Sequence, residues 1–393
     1  MKILISAPIQ VDRLAGWLPH STGAGLPVGF GGVPSTTLAL GLLARGHELV
    51  IVTLDPDIQA PVELRGNRIE VRVGPSRLHG RARDYFRLER AYIRSSIVEV
   101  ANQVDVVSAH WAYEFALGAL STRVPTAVHL HDWAPAQLRY SPRGSARVHF
   151  AVKAIMTLDV MHRSHHLSAV SPYIASRAQR WAHGPVAVIG NPIPVDDFLG
   201  LPRRRVHGRA SIIAINHGFS PRKNVATLLK AFPLIRAVIP HAQLRLIGRE
   251  YEMGGPAWVW ADQAGLTDGA DFVGPLEHND TRAALDVSDL VVHPSLEEAC
   301  PMVLAEAMAR SVPVVAGRRS GGVPWMLDDG ESGVLVDVRS PVEIARGAIH
   351  LLQADDDWDR LAAAALQSSR RRFLAPIVVE QYEDLLATAA SRS

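Results

Sequence analysis

Residues 289–327, DLVVHPSLEEACPMVLAEAMARSVPVVAGRRSGGVPWML, decide how the rest of the chain is read. The apolar run 290–292 ends in the turn His293-Pro294-Ser295, the acids Glu297 and Glu298 follow, and Pro301 stands where a helix takes its first residue. The pattern predicts a strand, a loop and a helix over about 301–309, then a second buried strand at 312–316. Such a loop is a crevice at the carboxyl end of a strand, with unpaired backbone N–H groups and the positive end of a helix dipole aimed into it. It suits an anion.

Two carboxylates flank that crevice. Glu298 lies on the loop and Glu306 one and a half turns into the helix. Beside a phosphate alone they make poor sense. They fit a ligand with phosphates for the helix end and hydroxyls for the carboxylates, because an ionised carboxylate accepts hydrogen bonds from sugar hydroxyls. The plainer alternative is that Glu297, Glu298 and Glu306 only complement the helix dipole.

Glu298, seven residues and Glu306, followed by Ala307-Met308-Ala309, Pro313-Val314-Val315 and Gly321-Gly322-Val323-Pro324, resembles the E-x7-E signature of family 4 glycosyltransferases. The resemblance implies the α/β GT-B fold: two facing Rossmann-like, doubly wound domains with a C-terminal helix crossing back to the first. It also implies that Glu298 meets the donor sugar, that Glu306 meets the nucleotide ribose, and that the helix start at Cys300, Met302 and Val303 stabilises the departing diphosphate.

Composition agrees with an ordinary globular chain: 393 residues, 48% hydrophobic and 20% charged, suggest two or three domains. A formal net charge of +2 makes no case for nucleic acid. The apolar stretch 3–9 is too short for a signal peptide's core and cleavage site, and no run approaches the ~20 apolar residues of a spanning helix. A cytoplasmic protein is expected, with peripheral contact at the inner membrane face as the variant to test. Cys300 is the sole cysteine and cannot form an internal disulfide, in keeping with a reducing compartment. Only Lys2, Lys153, Lys223 and Lys230 are lysines among 41 lysines and arginines, so a lysine at a motif position carries weight.

From the N-terminus, strand 2–7 leads through a long loop to helix 34–45 and strand 47–54. Gly29-Phe30-Gly31-Gly32 before that helix is a second glycine-rich anion site, and with Arg45-Gly46-His47-Glu48 it resembles the family's opening unit, whose glycine loop faces the donor; Gly31 and Gly32 are the donor residues this implies. A dinucleotide fingerprint with Asp55 as its ribose acid fits badly, because the loop is long and Pro34 replaces the third glycine. Asp55-Pro56-Asp57 reads as a turn after a strand rather than a metal motif, and no metal site is expected. A helix is predicted over 83–100, with Arg83, Arg87, Arg90 and Arg94 on one face, suited to an anionic membrane or a charged acceptor, or else to solvent.

Strands at 105–109 and 126–130 end at His110-Trp111 and His131-Asp132. His131-Asp132 resembles the family's V-x-H-D segment, which implies that His131 approaches the donor sugar across the cleft. A metal pair His129-x-His131 is set aside on the expectation that strand alternation parts the two rings to opposite faces. His162, His165 and His166 read as surface or capping residues. Residues 190–198, GNPIPVDDF, lack periodicity and resemble the family's N-G-V-D-x-x-x-F hinge, with Pro192 in place of glycine. The domains expected are therefore 1–192, a linker at 193–209, 210–370, and a helix 371–393 returning to the first domain.

The second half repeats the β-α rhythm, and Pro221-Arg222-Lys223-Asn224 opens a helix over 223–238. It resembles the family's P-x-K element, implying that Lys223 contacts the donor diphosphate. Three departures stand out: the usual preceding Arg is replaced by Gly218 or His217, the Glu after G-G-x-P is Trp325, and Pro301 removes one phosphate-facing N–H. Arg222 could supply the missing charge but points elsewhere on a regular helix. The expected reaction is a metal-independent retaining transfer, without cofactor, from a nucleotide diphosphate sugar of UDP or GDP type to an acceptor hydroxyl, with His131, Lys223 and Glu298 as the catalytic group. Loops 11–29 and 74–94 are expected to choose the acceptor. An epimerase or hydrolase of the same fold, or a donor-binding protein without turnover, are the rival readings.

Overall fold

Short runs of Ile, Val and Leu punctuated by glycine and proline become the parallel strands of two sheets, and the helices between them cover both faces, as parallel sheets require. The computed structural model describes residues 1–18, 26–29 and 31–391. The chain divides into two compact units, Met1–Pro192 with Ala375–Ser393, and Ile193–Leu374. Both are doubly wound and Rossmann-like.

The first unit holds Lys2–Ser6 (β1), Glu48–Asp55 (β2), Val62–Gly66 (β3), Ile69–Pro75 (β4), Val106–His110 (β5), Thr126–Leu130 (β6), His166–Ala169 (β7) and Val186–Val188 (β8). Their order is β3-β4-β2-β1-β5-β6-β7-β8, with every pair parallel except the β3–β4 hairpin. On one face Leu38 and Leu42 of the helix Val33–Ala44 share a core with Val378, Val379 and Tyr382 of the helix Ala375–Ser391. Gly41 permits that approach, since a Cβ there would lie 2.5 Å from Val379 Cγ2.

The helix predicted over 83–100 is shorter than its periodicity suggests. It runs Arg87–Val100, after a 3-10 turn Arg81–Asp84 and two left-handed residues, Tyr85 and Phe86, both with φ 57°. Burial of the Phe86 ring and the Arg77 guanidinium, which grips Asp84 at 2.9 Å and Glu89 at 2.6 Å, hold that break in place. Arg83 is therefore off the helix, and the proposed basic face of 83–94 is not continuous. Arg90 turns back to the Tyr85 carbonyl at 3.3 Å.

The second unit holds Ser211–Ile215 (β9), Gln243–Ile247 (β10), Ala270–Gly274 (β11), Leu290–His293 (β12), Val314–Gly317 (β13) and Val334–Val336 (β14), all parallel, in the order β11-β10-β9-β12-β13-β14. Residues 193–209, expected as a linker, belong to this unit. The buried Arg205 guanidinium lies 3.0 Å from Asp289 Oδ1, the Arg205 backbone N–H donates to Asp359, and Ile193 N–H donates to the Phe373 carbonyl at 2.7 Å. Residues 371–374 belong here too, anchored by the buried Phe373 ring against Trp325.

Each sheet changes direction once. β1 lies between β2 and β5, and β9 between β10 and β12, so the loops leaving β1 and β5, and those leaving β9 and β12, open crevices at the carboxyl edge.

Candidate active site

In the second unit the loops after β9 and β12 are stitched together. Asn224 takes a left-handed conformation (φ 54°), donates from Nδ2 to the carbonyls of Pro294 (3.0 Å) and Val338 (2.8 Å), and accepts from Thr227 at 2.6 Å. Leu296 N–H donates to the Arg222 carbonyl at 2.8 Å. The helix starts only at Val225, so Arg222 and Lys223 lie on the turn before it. That corrects the expectation for Arg222. Freed from helical geometry, its guanidinium reaches Glu298 Oε2 at 3.4 Å and the Glu297 carbonyl at 3.1 Å.

Lys223 Nζ lies 2.6 Å from Glu298 Oε1, with His293 Nε2 3.5 Å from the same oxygen. Burial alone would raise the Glu298 carboxyl, but Lys223, His293 and Arg222 outweigh it and hold the pKa well below the usual carboxylate range. Burial lowers the His293 ring, against the pull of Glu298, so the charge balance rests on Lys223 and Arg222. Partial desolvation, Arg249 and Lys223 lower the ring of His217, which keeps it neutral. Of the residues near the missing family arginine, Arg222 supplies the cation.

The helix after this loop runs Met302–Ala309, with Pro301 as its cap rather than its first residue. The N–H groups of Met302 and Val303 have no partner one turn earlier, as at any helix start, and point back toward the buried Cys300 loop. Gly322 N–H donates to the Glu298 carbonyl at 2.8 Å, fixing the loop to the Gly-Gly turn. Glu306 joins a different group. It lines a small cleft with Asp197, His278, Arg282 and Arg310. Burial pushes its carboxyl up, opposed by His278 and reinforced by Asp197. Asp197 is itself held by His278 at 3.3 Å and Arg282 at 3.2 Å. Trp325, where the family carries Glu, packs on Phe373 and under the Arg372 guanidinium.

The first unit has its own crevice. Gly31, Gly32, Trp111, Tyr113, Asp132 and Lys153 line a cleft at the carboxyl edge around β1, β5 and β6. Gly32 has φ 82°, and a Cβ there would lie 1.9 Å from the Pro8 carbonyl oxygen, so only glycine fits. Asp55 accepts from Gly29 N–H at 2.9 Å and Asp57 N–H at 2.8 Å, a turn-forming role. Phe30 and residues 19–25 of the expected acceptor loop lie outside the described residues.

His131 is buried among other rings. Its Nε2 is 2.9 Å from His110 Nδ1, and its ring stacks on Trp111 at 3.9 Å between centroids. His129 meets it edge-on at 4.7 Å, contrary to the opposite-face expectation. The reason is that alternation parts neighbouring residues and returns every second one to the same face, so His129 and His131, two apart, belong together and the expectation misapplied the period. Burial lowers His110 to about 3 and drives His129 and His131 well below their usual value, with neighbouring histidines adding to both and an Asn191 hydrogen bond opposing at His131. The cluster is neutral. Among the described residues no three His, Cys, Asp or Glu side chains are placed to hold a metal ion.

The sequence placed His110 and Trp111 just past a strand's carboxyl end but gave them no role, and Asn224, with only its place beside Lys223 as a signal, was missed as a site-building residue.

Residues 32–197 match the family described as Glycosyltransferase Family 4, and residues 204–368 the one described as Glycosyl transferases group 1. The phosphatidyl-myo-inositol mannosyltransferase of Mycobacterium leprae is 27% identical over 391 residues, covering 92% of this chain and 95% of that one. Among solved structures, sucrose-phosphate synthase from Thermosynechococcus elongatus covers 100% of both chains with a TM-score of 0.78 at 19% identity. HepE of Anabaena, in complex with UDP and glucose, covers 99% of this chain and 100% of its own with a TM-score of 0.69 at 18% identity.

Proposed function

We propose that this chain, which belongs to the family 4 glycosyltransferases of GT-B fold, is a retaining hexosyltransferase that moves a sugar from a nucleotide diphosphate donor to an acceptor hydroxyl. One observation carries the reading: an ionised, buried Glu298 clasped by Lys223 and Arg222 beside a helix start, at the switch point of the second sheet. The carboxylate accepts hydrogen bonds from sugar hydroxyls, and the cations with the first-turn N–H groups of Met302 and Val303 take the diphosphate. An ammonium has three donors, so Lys223 serves Glu298 and a phosphate oxygen together.

In the transfer, the bond from the anomeric carbon to the diphosphate oxygen breaks and the bond to the acceptor oxygen forms on the same face. The acceptor proton passes to the leaving phosphate, so no covalent adduct with the protein is required. Lys223 and Arg222 stabilise the developing negative charge, and each well-placed donor contributes about 3–4 kcal/mol to such a step. These side chains and amides neutralise the diphosphate without a metal ion. Glu306 accepts from the ribose. Neutral His131 is fixed by His110 and Trp111 beside the crevice of the first unit.

UDP or GDP donors fit best. HepE is solved with UDP and glucose, and the M. leprae relative is named for mannosyl transfer to a phosphatidyl-inositol, which supports a polyol hydroxyl as acceptor. Thermal unfolding with UDP-, GDP- and TDP-sugars should show one donor class raising the midpoint, followed by transfer to a polyol with the anomeric configuration kept, read by NMR. Stabilisation by no donor, or an inverted product, overturns the proposal.

A further inference from the structure

The helix Ser145–Arg163 has two unlike halves. Met156, Thr157, Val160 and Met161 are its buried residues, all toward its end. No residue from 145 to 155 is buried, although the stretch SARVHFAVKAI is largely apolar. Val148 and Ile155 are 57% and 59% exposed, and with Val152 they fall at steps of four and three, one stripe on the helix. Arg139, Arg143 and Arg147, all exposed, precede or flank that stripe, and no Asp or Glu occurs from 139 to 158. Elsewhere the helix is seated on the segment before Arg87, through Phe86 against His149 and a Tyr85 hydrogen bond to Asp159.

We propose that this half-helix, rather than the 83–94 segment, is a docking face for an anionic phospholipid bilayer. Scattered exposed apolar residues are ordinary on a protein surface, but an apolar helical stripe with arginines at its start, and reaching its first acid only at Asp159, which Arg163 neutralises, has the composition of an interfacial helix. The apolar side chains enter the headgroup boundary and the arginines take the lipid phosphates. A second copy is the poorer occupant, because a two-fold contact would set arginine against arginine with no acid in the stretch to pair. The face also borders the first unit's cleft: Lys153, on the same helix, lies 4.3 Å from the Tyr113 ring centroid and lines that cleft. If the transferase reading holds, the acceptor is lipid-borne and is presented to the cleft from the membrane. Docking itself does not rest on that reading.

The test is sedimentation of the full-length protein with phosphatidylcholine vesicles, with and without phosphatidylglycerol, at low and high salt. Binding should require the anionic lipid and weaken with salt. Arg143→Ala and Arg147→Ala should each weaken it about fivefold, and Val148→Asp with Ile155→Asp should remove it while leaving the circular dichroism and donor-induced stabilisation unchanged. No binding by the natural chain, equal binding to neutral vesicles, or binding indifferent to these substitutions overturns the proposal. So does a dimer in solution that Val148→Asp dissociates, which would assign the face to a second copy. Vesicle binding that persists where no sugar transfer is found leaves docking in place and removes the transferase reading instead.

Discussion

Replacing Lys223 by methionine keeps most of the stem and removes the ammonium 2.6 Å from Glu298. Two consequences then separate. In the free protein Glu298 remains buried, its side chain 10% exposed, with Arg222 at 3.4 Å and a neutral His293 at 3.5 Å as its remaining neighbours. Removing one partner of a buried pair costs about 3–5 kcal/mol, and the surviving Arg222 contact puts this case near the low end, about 3. For a unit of this size that is a fall of roughly 6–12 °C in the midpoint, at about 2–4 °C per kcal/mol. In the reaction the loss of one donor to the leaving diphosphate should lower kcat by about 10²–10³. The double variant Lys223→Met, Glu298→Gln removes both charges, so it should recover most of the stability and none of the rate. Thermal unfolding and initial rates of transfer, measured on the same preparations, read the two effects apart. A double variant that regained both stability and rate would show that the pair is a structural clasp, and the catalytic assignment would fall.

The histidine cluster makes the first unit acid-labile. His110 has a folded value of about 3 against an unfolded 6.5, so the unfolded chain takes up its proton first. Stability from it is complete above about pH 6.5 and is lost toward pH 3 at about 1.4 kcal/mol per pH unit, with His129 and His131 steepening the slope; urea midpoints that stay flat from about pH 7 to about pH 5 would refute this. Glu306 has the opposite sign. Its raised carboxyl means that ionisation disfavours the folded state once pH passes 4.5, so Glu306→Gln should raise the midpoint at neutral pH, with the gain vanishing in acid. The same substitution should weaken nucleotide binding about tenfold, as a hydrogen bond to a charged group is lost, measured by calorimetry with the donor diphosphate. Gly32→Ala should destabilise by at least about 1–3 kcal/mol through strain and the clash with the Pro8 carbonyl, whereas Gly31→Ala, with open space around its Cβ position, should cost only the strain, about 1 kcal/mol, by urea unfolding.

The strands were readable because both faces of a parallel sheet are buried, so segments such as Leu290–His293 and Ser211–Ile215 appear as unbroken apolar runs. β3 was not, since its alternate residues are exposed and it is short and at an edge. Lys223 and Glu298 could be paired from motif order and the scarcity of lysine. Arg222 could not, because its reach depends on Asn224 adopting a left-handed conformation that a helical pattern conceals. The same kind of break, at Tyr85 and Phe86, removed Arg83 from its helix. Residues 193–209 looked like a linker because their partners, Asp289 and Asp359, are remote in sequence. The contact of His110 with His131 joins the ends of neighbouring strands, and no local spacing encodes it.

The two glutamates of the opening motif are not equivalent acids, and the difference follows from where cations stand. Glu298 is within reach of Lys223 and Arg222, so it is ionised before any ligand arrives, the state in which a carboxylate accepts hydrogen bonds. Around Glu306 the nearby basic groups, His278 and Arg282, are engaged by Asp197, and Arg310 grips Asp286 at 2.6 Å, so burial dominates and its charge is disfavoured. A diol donating two hydrogen bonds to Glu306 would supply what the protein withholds, favouring the ionised form only when the ligand is present. The cost of ionising Glu306 is then relieved by binding. On the proposed roles, the sugar-facing glutamate would be set beforehand and the ribose-facing one completed by the nucleotide, which would make the second carboxylate a point at which the site distinguishes a ribonucleotide from an anion that merely fits the helix end.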